Sequence, residues 1–168
     1  MAVVTVEKAL QLWDEALQTQ VHKVETIDVK AAKGYVLVED IIAPTDVPAF
    51  PKSAMDGYAI AYEEGRNEYI VDGIIGAGVV WEHPVDVGHA VRIMTGAPVP
   101  DTCDTVIMQE QVVGTGESQT TITIQGKYHC GDHIIPQGEE CVAGTIVIPR
   151  GTEVTSTVQT ILTGLGII

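Results

Sequence analysis

Four stretches of this chain combine residue types that can do chemistry. The first, Ser53-Ala54-Met55-Asp56-Gly57-Tyr58-Ala59-Ile60, sets one carboxylate at an Asp-Gly step between two short apolar runs. Gly tolerates positive φ and Asp bonds readily to nearby backbone, so the step predicts a two-residue hairpin turn that fixes the carboxylate's direction. The second, Arg92-Ile93-Met94-Thr95-Gly96-Ala97-Pro98-Val99-Pro100, reads as a strand entering a Gly- and Pro-rich turn. Successive backbone N–H groups there, with the Thr95 hydroxyl, could hold an oxyanion. The third, Asp104-Thr105-Val106-Ile107-Met108-Gln109-Glu110, predicts a buried strand that ends in an amide and a carboxylate. The fourth runs from Gly131-Asp132-His133-Ile134 through Gly138-Glu139-Glu140 and places several oxygen ligands in a loop. Carboxylates from separate loops can share Mg²⁺, which prefers oxygen ligands and keeps waters and substrate phosphates. Taken singly, these are also a plain hairpin, a turn, a solvated strand end and a charged surface loop.

Other constellations point elsewhere or nowhere. His129-Cys130-Gly131-Asp132-His133 carries zinc-type ligands, and a small metal-binding domain on His129, Cys130 and His133 is one alternative, but the second Cys/His pair of a structural zinc site is missing. Gly73, Gly76 and Gly78 fit neither dinucleotide nor P-loop spacing and read as loop and strand-end glycines. There is no Gly-x-Ser-x-Gly elbow, and nothing nominates a nucleophile.

The elements that must position these stretches can be read from periodicity. Val6, Ala9, Leu10, Trp13 and Leu17 form one face of a helix with Thr5 as N-cap, ending near Gln20. Ile27, Val29 and Ala31 alternate as in a strand, and Ala31 to Val38 reads as a short helical turn. Pro44, Pro48 and Pro51 stiffen the connection that delivers the chain to Ser53. Strands are predicted at Tyr58–Ala61, Tyr69–Ile75, Ala90–Met94, Thr105–Glu110, Thr120–Gln125 and Thr145–Ile148, with turns such as Glu64-Gly65-Arg66-Asn67 and Gly114-Thr115-Gly116 between them. A second helix starts at the N-cap Thr155, carries Val158, Ile161, Leu162 and Leu165, and ends at Gly164 and Gly166. The fold class expected is α+β and mainly β, with a domain boundary near Ala43 and a compact β-sandwich or barrel after it.

Charge narrows the partners. The chain has 168 residues, 23 acidic against 9 basic, for a net charge of −14. Such a surface repels nucleic acid and anionic membranes, and no apolar run approaches the ~20 residues of a membrane span. Met1-Ala2-Val3-Val4-Thr5 lacks the sections of a signal peptide, and Cys103, Cys130 and Cys141 do not make a disulfide framework, so a cytoplasmic protein with reduced thiols is expected.

The order of the motifs carries a resemblance. Pro48-Ala49-Phe50 with Ser53 to Ala59, then Arg92 to Pro100, Val106 to Glu110, and Gly138-Glu139-Glu140 resemble the molybdopterin molybdenumtransferase family, the MoeA and gephyrin-like enzymes. The likeness continues through Pro149-Arg150-Gly151-Thr152 to Leu165-Gly166-Ile167. It implies a role in inserting molybdate into adenylylated molybdopterin with release of AMP and help from Mg²⁺. It also implies that this chain is only the N-terminal region, a helical or extended linker and dimerisation domain, 1–43 with 141–168, carrying an inserted small β-sandwich or barrel-like domain, 44–140; that it is inactive alone; and that it acts in a homodimer whose site lies between subunits. Carried over by motif, Asp56 and Thr95 are active-site residues, with Ser53 and Glu110 as weaker substrate-binding neighbours. Glu140 stands where many relatives have Asp, one methylene shorter, and joins Asp56 as a Mg²⁺ candidate. Thr95 is expected to donate to an oxyanion. A non-enzymatic dimerisation or scaffold module is the alternative from another class.

Overall fold

A computed structural model of the chain describes residues 4–18, 23–76, 78–114 and 120–168. Ten short strands follow a first helix: α1 Val6–Gln18, β1 Ile41–Ile42, β2 Lys52–Ser53, β3 Gly57–Ile60, β4 Glu68–Ile75, β5 His89–Ile93, β6 Thr105–Met108, β7 Val112–Val113, β8 Thr121–Ile124, β9 Ile134–Ile135 and β10 Ile146–Ile148, with α2 Ser156–Gly164 last. Among the described residues the protein is mostly β with two α-helices, as its sequence implies. The expected α1 end at Gln20 and the Thr115-Gly116 part of one turn lie outside the described residues. Among the described residues, no helix is long and apolar enough to cross a membrane.

The chain divides into 1–39 with 149–168, and 40–148. These seams lie four residues before 43/44 and eight after 140/141. The β1–β10 ladder, Ile41 against Ile148 and Ile42 against Ile146, ties both segments into the larger unit.

The larger unit holds a curled six-stranded sheet, ordered β6-β3-β5-β4-β8-β7. Period-2 alternation sends neighbouring side chains to opposite faces, and here both faces are buried. Ala59, Val91, Ile93 and Val106 join one apolar cluster with Ile75, Val85 and Val99. Tyr58, Ile60, Ala90 and Ile107 join the other, closed by Val112, Ile122 and Ile124 from the far strands. Burial on both faces explains why β3 reads as an uninterrupted apolar run. Each fully buried Ile contributes about 1.5–3 kcal/mol. Gly73, expected at a strand end, lies inside β4 at a bulge, and the Trp81 ring would be 2.7 Å from a Cβ there.

In the smaller unit α2 forms as expected: Thr155 Oγ1 accepts from the Val158 N–H at 3.3 Å. Val158 and Leu162 of α2 are buried, as are Val29, Ala32 and Val154. Gln159 Nε2 donates to the Val29 carbonyl at 2.6 Å. The strand expected at Ile27–Ala31 is instead a 3₁₀ turn, Val29–Ala31, because the Asp28 carboxylate accepts from the Lys30 N–H and caps it. The helical turn expected from Ala31 to Val38 is only a tight turn, the Tyr35 N–H donating to the Ala32 carbonyl at 3.0 Å, before Val36 bridges Glu153. α1 has Thr5 as its cap, yet none of its residues is buried and Trp13 is 69% exposed.

Candidate functional site

The Asp56-Gly57 step is not a hairpin. The run before it, β2, pairs with β9, whereas β3 pairs with β5 and β6 on its two sides. Each run has its own partners, so local turn propensity is overridden by the sheet. Gly57 is needed for a different reason: a Cβ there would lie 2.0 Å from the Ile107 carbonyl oxygen. Close approach of β6 leaves room only for glycine, and Asp56 is thereby held at the mouth of a central strand.

The turn after β5 meets it. The Ala97 N–H donates to the Met94 carbonyl at 3.0 Å with Gly96 at φ 81°, the positive φ that a type II turn requires at its third position. This turn is fastened to Ser53 by Gly96 N–H to Ser53 O at 2.8 Å and Ser53 N–H to Ala97 O at 3.0 Å. Ser53 is fully buried and its hydroxyl donates to the Met55 carbonyl at 2.6 Å, so it shapes the bend from beneath.

Asp56 and Thr95 are in direct contact. The Thr95 N–H and hydroxyl both donate to Asp56 Oδ1, at 2.7 and 2.6 Å. The Thr95 hydroxyl and then its N–H hold the carboxyl below the usual carboxylate range, with a smaller pull from the Arg92 guanidinium. Because the hydroxyl donates to Asp56, what stays unused is the Thr95 oxygen lone pairs and Asp56 Oδ2, which accepts no hydrogen bond among the described residues. Lone pairs attract a cation or a proton donor. Thr95 therefore orients Asp56 in this geometry.

The carboxylates of the other expected residues, Glu110 and Glu140, make no hydrogen bond to this pair. Glu110 is exposed on a 3₁₀ turn, Gln109–Gln111, that ends the predicted strand early at Met108. The Gln109 N–H donates to the Asp56 carbonyl at 3.0 Å, which draws that turn toward the site. Glu140 is exposed too, with its N–H on the Val47 carbonyl at 2.9 Å. No hydrogen bond joins Glu140 to Asp56 or Thr95.

Among the described residues, no group of three or more His, Cys, Asp or Glu side chains is placed to hold a metal ion. His129, Cys130 and His133, the zinc alternative, do not form such a group among the described residues, and the Cys130 thiol donates to an Asp104 oxygen at 3.5 Å. Asp56 Oδ2 with Thr95 Oγ1 is an all-oxygen pair. It fits Mg²⁺ only in the way that ion is commonly held, through one carboxylate with water and substrate phosphates completing the shell.

A mostly apolar cavity of about 560 Å³ borders the same turn at Gly96, lined by Phe50, Trp81 and Val99, with Glu82, His83 and Asp101 also on its wall.

Two contributors were invisible in sequence. Arg92 pairs across the sheet with Tyr58, which brings a cation near Asp56, yet the only hint was its place in the second motif. Asp46 orders the loop bearing Glu140, and no local pattern marks it.

With that geometry in hand, the comparisons are specific. A family model described as MoeA N-terminal region (domain I and II) matches residues 4–166, and the chain belongs to that family. The molybdopterin molybdenumtransferase of Staphylococcus epidermidis is 42% identical over 147 residues, covering 83% of this chain and 34% of the relative. That of Staphylococcus aureus is 38% identical over 133 residues, 75% of this chain and 31% of the relative. A crystal structure of the molybdopterin biosynthesis moeA protein from Pyrococcus horikoshii is 31% identical with a TM-score of 0.80, over 99% of this chain and 44% of that one. This chain spans about a third of the length of the curated relatives it matches.

Proposed function

We propose that this chain is the N-terminal part of a molybdopterin molybdenumtransferase and supplies one half of a composite site in a cytoplasmic homodimer. The substrates are molybdate and adenylylated molybdopterin, and the product leaves with release of AMP. The observation that carries the reading is Asp56: a carboxylate fixed by two donors from Thr95, with one oxygen left unused. Family membership supports the same conclusion.

In this reading Asp56 Oδ2 accepts from, or helps coordinate, groups at the phosphoanhydride, and Thr95 keeps that oxygen aimed. Mg²⁺, when bound there, neutralises charge on the phosphates. Arg92 offsets part of the repulsion between Asp56 and an anionic substrate. The net charge of −14 argues that most cationic binding comes from elsewhere in the assembly. The exposed apolar face of α1, with Leu10 and Trp13, suits contact with another polypeptide and favours an assembly role beside the catalytic one.

The test is Asp56→Asn in a full-length transferase carrying this region. Molybdate insertion should fall by about 100-fold or more with thermal stability little changed, because an oriented charge at the reacting group is lost. Unchanged insertion would favour the scaffold reading, as would wild-type turnover that never needs this region.

A further inference from the structure

The cavity beside Gly96 is built from three segments of chain: Phe50 with Pro51, the run from Val80 to Pro84, and the run from Gly96 to Thr102. Hydrogen bonds stitch the three together. The Val99 N–H donates to the Pro51 carbonyl at 3.0 Å, and the Val85 N–H donates to Thr102 Oγ1 at 2.8 Å. Pro51, Pro84, Pro98 and Pro100 stiffen the walls, because each fixes its own φ. The space of about 560 Å³ is therefore preformed, and it has the size and concave shape of a site for a free small molecule.

Trp81 is the largest group on the wall and is firmly seated. A Cβ on Gly73 would lie 2.7 Å from its ring, so the missing side chain makes room for the indole, which packs against the first apolar cluster. The His83 ring braces it at 88°, with centroids 6.3 Å apart. Trp81 Nε1 is buried and donates to no acceptor among the described residues, so its proton responds to the cavity rather than to a hydrogen bond.

The electrostatics of the wall have one sign. Glu82 and Asp101 bring carboxylates, both solvent-exposed, and among the described residues no Lys or Arg lines the space. Aromatic faces such as those of Trp81 and Phe50 also attract positive charge. An anion is repelled by this wall and by a chain of net charge −14. A small inorganic cation would give up water for a largely apolar surface, which is unfavourable. A cation that carries its own apolar body avoids both costs.

We propose that this cavity binds a small organic cation, an aryl- or alkylammonium whose body lies against Trp81 and Phe50 and whose charge is met by Asp101 and Glu82. The inference does not depend on the role of Asp56.

The experiment uses the 168-residue chain carrying Trp13→Phe, which leaves Trp81 as its one tryptophan and gives a single indole N–H signal by NMR. Three probes share a phenyl body: the cation benzyltrimethylammonium, the neutral N,N-dimethylbenzamide and the anion benzenesulfonate. The cation should shift the Trp81 signal saturably with a Kd of about 1 mM or below. The neutral probe should bind at least about 5-fold more weakly, and the anion more weakly again. Raising salt from about 0.05 to about 0.5 M should weaken the cation about 3-fold and leave the neutral probe unchanged. Asp101→Asn combined with Glu82→Gln should weaken the cation about 5-fold with the neutral probe unaffected. Equal binding of cation and neutral probe, a preference for the anion, a cation indifferent to the double variant, or no saturable shift up to about 20 mM would each overturn the inference. Should the double variant lose its folded amide spectrum, Asp101→Asn alone and the salt dependence decide in the same way.

Discussion

Asp46 and Asp56 stand on one stretch of chain and each accepts two hydrogen bonds from a distant segment. Both carboxyls are held below the ordinary range by those donors. The difference is in how the oxygens are distributed. At Asp46 each oxygen has its own donor, so the side chain is a finished joint between segments. At Asp56 both donors converge on Oδ1, which leaves Oδ2 for a ligand. The same residue type, with the same number of bonds, is structural in one place and available for chemistry in the other. Counting partners does not separate the two cases; asking which atom remains free does.

Gly57→Ala should break the comparison hardest. The new Cβ meets the Ile107 carbonyl, so β3 and β6 must part, at a cost of about 3 kcal/mol. Urea unfolding would register the loss, and a variant as stable as the wild type would show that β6 is not so close. Thr95→Val is milder and more selective. Without the hydroxyl donor, the Asp56 pKa should rise toward the ordinary value while Asp46 stays put, as a carboxyl NMR titration can read directly. If both carboxyls move, the two regions are not independent.

The smallest effect is on pH dependence. Both folded-state values are depressed, so the stabilisation is fully present above the unfolded value of about 4 and is lost as pH falls through the folded values. The Asp46→Asn, Asp56→Asn double variant should unfold with a shallower acid dependence than the wild type. An unchanged acid limb would mean that neither set of donors favours the ionised form in solution.

Much of this was readable beforehand. The two helices, with Thr5 and Thr155 as caps, follow from apolar spacing and from hydroxyls that satisfy free N–H groups. The long strands are legible because two buried faces give runs of Val, Ile and Ala. The short strands β2 and β9, two residues each, are not, since so few residues carry no period. The Asp28 cap was missed because alternation in Ile27–Ala31 outweighed a single side-chain bond. In the candidate site, motif order singled out Asp56 and Thr95, whereas the two hydrogen bonds between them were not legible in the sequence.

The order of residues along the chain was enough for the family, the mainly β character, the helix starts and the acidic balance, because those depend on composition, spacing and near neighbours. The meeting of Asp56 with Thr95, the nearness of Arg92, and the hold of Asp46 on a loop more than 90 residues away were decided by the fold. A hydrogen bond depends on where two atoms are in space and which lone pair is still open. Strand register and close backbone approach set both, and neither is written in any local pattern of residues.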